Sequence, residues 1–326
     1  MSDTNITDIN LTEQNDKPDI DYTGKIGLVL SGGGGKGAYQ VGVLKALKEN
    51  NLLDNVVAIS GASIGAVNSM LYAMDDMDGM YKAWDEIDMD MVFDIDLDQL
   101  LANKPFFSRD EMLDMMEKYI DFNKVKNGNY DIYTSICRVD ASDMKLGAEY
   151  RKLSDYEPDV IKQILLASTA LPLVYEAVEI EGNYYRDGGI CDNEPVKPLY
   201  DAGIRDFIVI GLKYGKVFNE EKWPGANFIT IYPSHDLGDL LQGTLDFSEK
   251  SIDFRQMLGY KDGLRAIKTK FQKDEIYIRM ENALAQNDYN EVKMQLRADT
   301  AFKTAEKKIN KHMDYFNNLA KKYENY

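Results

Sequence analysis

Residues 56–72 read Val56-Val57-Ala58-Ile59-Ser60-Gly61-Ala62-Ser63-Ile64-Gly65-Ala66-Val67-Asn68-Ser69-Met70-Leu71-Tyr72. A short apolar run leads into Gly61-Ala62-Ser63-Ile64-Gly65, which is G-x-S-x-G, and a helical pattern leaves it. Strand, sharp turn and helix are the setting in which this pentapeptide presents a nucleophilic serine. So tight a turn predicts a strained backbone at Ser63, with Gly61 and Gly65 letting the flanking chains pass close by. The hydroxyl is then exposed at the end of a sheet and at a helix N-terminus, where developing negative charge is favoured. The same five residues also suit a plain helix N-cap serine between two glycines.

Upstream, Gly24-Lys25-Ile26-Gly27-Leu28-Val29-Leu30 reads as a buried strand that runs into Ser31-Gly32-Gly33-Gly34-Gly35-Lys36-Gly37. A helix follows from Ala38, with Tyr39, Val43 and Leu47 on one face. Four successive glycines leave backbone N–H groups unshielded at the mouth of a helix, which suits an anion. Gly32, Gly34 and Gly37 formally satisfy the dinucleotide fingerprint G-x-G-x-x-G, but no acidic residue closes the second strand. A Walker A loop fails because Gly37 follows Lys36. An oxyanion hole facing Ser63 is the remaining reading.

A third motif is Asp187-Gly188-Gly189, after a hairpin of Glu176–Ile180 and Tyr184–Arg186. Alone, Asp-Gly is a favoured turn pair. It gains meaning from the order glycine loop, G-x-S-x-G, Asp-Gly-Gly.

With these three motifs the chain resembles the patatin-like phospholipase family of lipid acyl hydrolases over about residues 25–215. Ala167-Ser168-Thr169-Ala170-Leu171-Pro172 resembles the family's small-residue segment ahead of the aspartate. The resemblance implies a Ser63–Asp187 dyad in which Asp187 is the general base and no histidine takes part. It implies an oxyanion hole from the glycine stretch Gly32, Gly33, Gly34 and Gly35. Lys36, Gly37, Gly61, Gly65, Gly188 and Gly189 support the loops around it. Ser31 stands where some members carry Asp. Neither a cofactor nor a metal is implied, and the expected partner is a lipid or other acyl ester, with transient contact to a membrane surface.

The chain has two histidines, His235 and His312. Ser63, Asp187 and His235 also follow the chain order of an α/β-hydrolase triad. Against that alternative, the glycine loop follows the first strand and not the third, and His235 sits in the loop Tyr232-Pro233-Ser234-His235-Asp236-Leu237-Gly238. A dinucleotide-binding protein using Gly32–Gly37 is the other alternative, and it leaves the remaining two motifs unexplained. In a dyad, an ordinary carboxylate near pKa 4 is a poor base for a serine hydroxyl, so Asp187 must be desolvated.

Short apolar strands alternating with helices predict an α/β fold in three layers: a mostly parallel central sheet with helices on both faces, plus a C-terminal helical extension. The expected organisation is an acidic tail over 1–24, a catalytic domain over 25–270 and a helical extension over 271–326 packed on it. The first 24 residues are polar and acidic, without a basic or apolar segment, and are expected to be disordered. With no 18-residue apolar run, the expected location is cytoplasmic. Cys137 and Cys191 read as two buried thiols.

The net charge of −17, from 38 basic and 55 acidic residues, opposes nucleic acid and anionic membranes as partners. Residues 75–98 interleave ten acidic side chains with Met74, Met77, Met80, Trp84 and other apolar residues. This stretch is expected to be an amphipathic segment packed on the domain, or a lid over the site. The final helix, about 288–322, carries the stripe Phe302, Ala305, Ile309, Met313, Phe316 and Ala320 and a lysine-rich opposite face.

Overall fold

The computed structural model describes residues 24–86, 109–140, 145–172 and 174–284, together with 294, 297, 298 and 302. Most of the expected C-terminal helix, His312, the acidic tail up to residue 23 and the acidic stretch from residue 87 lie outside the described residues. The chain divides into two compact units, Met1–Gln272 and Lys273–Tyr326. In the second, residues 275–284 are helical, and Asp274 accepts the N–H groups of Ile276 and Tyr277.

Strands β1 (Ile26–Leu30), β2 (Val56–Ala62), β3 (Asp131–Val139), β4 (Leu146–Lys152), β5 (Val178–Ile180), β6 (Asn183–Asp187), β7 (Asp206–Ile210) and β8 (Asn227–Ile231) form one sheet in the order β5-β6-β3-β2-β1-β7-β8, with β4 also on β3. From β3 to β8 this order is parallel. β4 and β6 run antiparallel to β3. Leu28 and Leu30 join the larger of two buried clusters, while Val29 between them joins the other with Ala58, Phe207 and Val209. That period of two means apolar material covers both faces, which is why β1 reads as a continuous apolar run.

Helices α1 (Ala38–Glu49), α2 (Ile64–Ala73), α3 (Met77–Asp85), α4 (Arg109–Tyr119), α5 (Phe122–Asn127) and α6 (Pro158–Ser168) precede the short α7 (Lys197–Asp201) and the long α8 (Glu249–Ala266). Val196 and Leu199 cover the second face at the start of α7. α1 is buried on nearly every side, because α8 lies across it. Their backbones touch: a Cβ on Gly42 would stand 1.9 Å from the Gln256 carbonyl oxygen, and one on Gly259 2.0 Å from that of Tyr39. No described helix is long and apolar enough to cross a membrane.

The cysteines depart from expectation. Cys137 and Cys191 are joined as a disulfide with Cα atoms 5.4 Å apart. They lie 54 residues apart in sequence, and only the pairing of β6 on β3 brings the second to the first.

Candidate active site

β1 turns from the chain's first direction to its second: β2 and β3 build outward on one side of it, β7 and β8 on the other. Ligands of open α/β sheets bind beyond the strand carboxyl ends at such a switch point. The glycine loop leaves the end of β1 and Ser63 leaves the end of β2.

Ser63 has φ 53° and ψ −127°, a left-handed conformation that a β-substituted residue holds only under constraint. Glycines supply that constraint. A Cβ on Gly61 would stand 2.3 Å from the Gly65 carbonyl oxygen, and one on Gly65 2.1 Å from that of Leu30. The Ser63 N–H donates to Ser168 Oγ at 2.9 Å, and that hydroxyl donates to the Ser135 carbonyl at 2.8 Å. The small-residue segment at the end of α6 therefore braces the turn from behind.

β3 explains how Asp187 reaches Ser63. Its residues 133–135 pair with β2 and β4 at once, so those strands lie on opposite edges. By the same reasoning β6 takes over the β2 edge from Ile136 onward. Ala62 stands opposite Ser135 and Asp187 opposite Ile136, so the two strands meet end to end. At that junction Ser63 Oγ donates to Asp187 Oδ2 at 2.7 Å. Asp187 Oδ1 accepts the Gly189 N–H at 2.8 Å. Asp187 is 4% exposed. Burial pushes its carboxyl up to about 6, and the hydrogen bonds from Ser63 and Gly189 hold it from going further. Gly188 is needed for close approach, since a Cβ there would stand 2.0 Å from the Ser135 carbonyl oxygen.

The glycine loop is held by groups from four elements. Gln40 Nε2 donates to the Ser31 and Ile210 carbonyls. Asn68 Nδ2 donates to the Gly37 carbonyl and to Gln40 Oε1, while Trp84 Nε1 donates to Asn68 Oδ1. Asn193 Oδ1 accepts the Gly32 N–H at 3.1 Å and its Nδ2 donates back to the Gly32 carbonyl at 3.3 Å. Gly32 therefore spends its N–H on Asn193, as Ser31 spends its own on the Ile210 carbonyl. Among the described residues no acceptor takes the N–H of Gly33 or of Gly34. Gly34 is left-handed, with φ +56°. Lys36 is half-buried against Gly243, and burial lowers its pKa despite Asp236 and Asp239 nearby.

His235 is exposed in the loop after β8, with Nδ1 3.1 Å from Ser234 Oγ. The structure thus brings together Ser63, Asp187, Gly61, Gly65, Gly188, Gly189 and the Gly32–Gly37 loop. No described hydrogen bond joins His235 to Ser63 or Asp187. Gln40, Asn68, Trp84 and Asn193 escape a sequence reading. The available signal is an amide among the buried apolar residues of a helix, as at Gln40 and Asn68.

A family model described as patatin-like phospholipase matches residues 28–200. The chain is 27% identical over 198 residues to a lysophospholipase NTE1 of Cryptococcus neoformans, a match covering 57% of this chain and 11% of that protein. It is 24% identical over 188 residues to an uncharacterized NTE family protein of Mycobacterium bovis, covering 58% and 48%. The chain thus spans half or less of the length of these relatives. Among solved structures, VipD from Legionella pneumophila superposes with a TM-score of 0.49 at 15% identity, covering 75% of this chain and 67% of that one. Human GIVD cytosolic phospholipase A2 gives 0.48 at 11% identity, covering 80% and 60%.

Proposed function

The chain belongs to the patatin-like phospholipase family, and on that premise we propose that it is a lipid acyl hydrolase working through Ser63 and Asp187. The observation that carries this reading is the 2.7 Å hydrogen bond from a strained, glycine-flanked serine to a buried aspartate whose carboxyl is raised to about 6. Near neutral pH Asp187 is ionised and is basic enough to draw the proton from Ser63 as Oγ attacks an ester carbonyl. The negative charge that develops on the carbonyl oxygen is met by the N–H groups of Gly33 and Gly34. As the tetrahedral species collapses, Asp187 returns the proton to the leaving alcohol and an acyl ester remains on Ser63. Asp187 then takes a proton from water as it attacks the acyl carbonyl, and returns that proton to Ser63 Oγ as the second tetrahedral species collapses and the fatty acid leaves. The activity is assigned to residues 25–270.

The surface supports one lipid class over another. Leu240 (52% exposed) and Leu241 (65%) belong to the turn after β8 that lies on the glycine loop, and Tyr214 and Val217 are exposed on the loop after β7. With a net charge of −17, such an apolar rim suits a zwitterionic or neutral lipid surface. The Cys137–Cys191 bond, of a kind kept in oxidising compartments, opposes a cytoplasmic location. Thiol titration of the denatured, unreduced native protein tests the bond: two free thiols fit the cytoplasm, none fits an oxidising compartment.

Turnover of a p-nitrophenyl ester tests the dyad. Ser63→Ala and Asp187→Asn should each lose at least about 10³-fold in kcat, with the double variant little worse, because the two act as one unit. His235→Ala should keep most of the activity. A loss of that size in folded His235→Ala would establish the triad instead.

A further inference from the structure

Arg255 lies on α8, well beyond the residues that the family model matches, and is 2% exposed. A guanidinium keeps its charge at any working pH, so in the interior its N–H groups must find acceptors. All those described for Arg255 lie in one short segment. Nη1 donates to the Asp246 carbonyl, and Nη2 donates to the Gln242 carbonyl at 3.1 Å and to Asp246 Oδ2 at 3.2 Å. The Asp246 carboxylate is itself fixed, by the Ser248 N–H on Oδ1 and the Ser251 hydroxyl on Oδ2.

The segment so gripped rests directly on the glycine loop. Residues Leu240–Thr244 form one π-helical turn. A Cβ on Gly34 would stand 2.1 Å from the Thr244 carbonyl oxygen, and one on Gly35 2.1 Å from that of Asp246. The Asp246 carbonyl that accepts from Arg255 is therefore the one pressed against Gly35. Just past it Phe247 stacks on Trp84, whose indole N–H holds Asn68 and, through it, the Gly37 carbonyl. Without Arg255 the exposed turn would keep its own hydrogen bonds, to the Asp239 carbonyl and carboxylate and from Leu245 to Leu240, and only the Ser251 hydroxyl on Asp246 would still tie it to α8.

We infer that Arg255 is a positioning residue for the oxyanion loop: by holding the Gln242 and Asp246 carbonyls it seats the 240–246 turn on Gly34 and Gly35 and fixes the left-handed backbone of Gly34, whose N–H is one of the two proposed oxyanion donors. The inference rests on the hydrolase reading above. Arg255 touches neither Ser63 nor Asp187 among its described contacts, so its removal should slow the step in which charge develops and leave substrate binding and the titration of Asp187 alone.

The test is the rate at which a fluorophosphonate labels Ser63, together with kcat, KM and the melting temperature. In Arg255→Lys the buried charge remains, but a compact ammonium lacks the planar fork that spans two carbonyls. The expected result is a labelling rate and kcat down at least about 10-fold, a fraction of the cost of losing an oxyanion donor outright. KM and the pH midpoint should be unchanged. Ser251→Ala, which only loosens Asp246, covers the case in which Arg255→Lys does not fold and should lose a smaller part of kcat. Wild-type labelling and kcat in folded Arg255→Lys, or in Ser251→Ala if the first does not fold, would overturn the inference, whatever happens to the melting temperature. No labelling of Ser63 in the wild-type protein would instead remove the hydrolase reading and this inference with it.

Discussion

Asp187 sets activity and stability against each other. Its carboxyl is raised from 3.8 to about 6 because burial penalises the ionised form. Folding therefore favours protonated Asp187. That contribution is fully present below pH 3.8 and is lost as pH rises through about 6. At 1.36 kcal/mol per tenfold change in proton affinity, holding Asp187 ionised in the folded protein costs about 3 kcal/mol. The proposed chemistry needs that ionised form, so kcat/KM should rise with pH through an inflection near 6. Asp187→Asn keeps the shape, removes the charge and should be inactive. It should also melt at higher temperature than wild type at pH 8, with the difference vanishing towards pH 3.5. Calorimetric scans at the two pH values check this, and a variant less stable at pH 8 would show that the Asp187 environment is not the cause of the shift.

At the scale of elements, what is local is legible in the sequence. The turn at Ser63, the glycine loop and Asp187-Gly188-Gly189 each declare themselves within seven residues, because strand, tight turn and helix impose their residue types at fixed spacing. What depends on contacts distant in sequence is not. Asn193 reaches Gly32 across 161 residues, and Cys191 meets Cys137 only once β6 takes over the β3 edge from β2. The same handover brings Asp187 to Ser63, and neither strand shows it alone. The 240–246 turn carries none of the three motifs, yet it forms the roof of the glycine loop. That roof makes Gly34 the most demanding position in the loop. Its φ of +56° disfavours a side chain, and any Cβ would meet the Thr244 carbonyl. Gly34→Ala should therefore cost about 10² or more in kcat, as loss of one oxyanion donor does, with KM little changed. An unaltered kcat would place the oxyanion donors elsewhere.

For the whole molecule, charge and rim work together. A net charge of −17 disfavours anionic surfaces, and the proposed reading gives the contact with lipid to the exposed apolar residues of the turn after β8. Leu240 and Leu241 belong to the turn that lies on Gly34, so on that reading the apolar contact sits beside the glycine loop. Sedimentation with vesicles should show binding to zwitterionic phosphatidylcholine, weaker binding when an anionic lipid is mixed in, and recovery of that loss at high salt. Replacing both leucines by serine should reduce the binding while a soluble short-chain ester is still turned over. Equal binding after that replacement would move the lipid contact away from this rim. The central claim is tested most directly by fluorophosphonate labelling followed by peptide mass mapping of the intact protein. One adduct is predicted, on Ser63, formed faster as pH rises through 6, lost in Asp187→Asn and kept in His235→Ala. An adduct on another residue, or one that forms on Ser63 only while His235 is present, would contradict it.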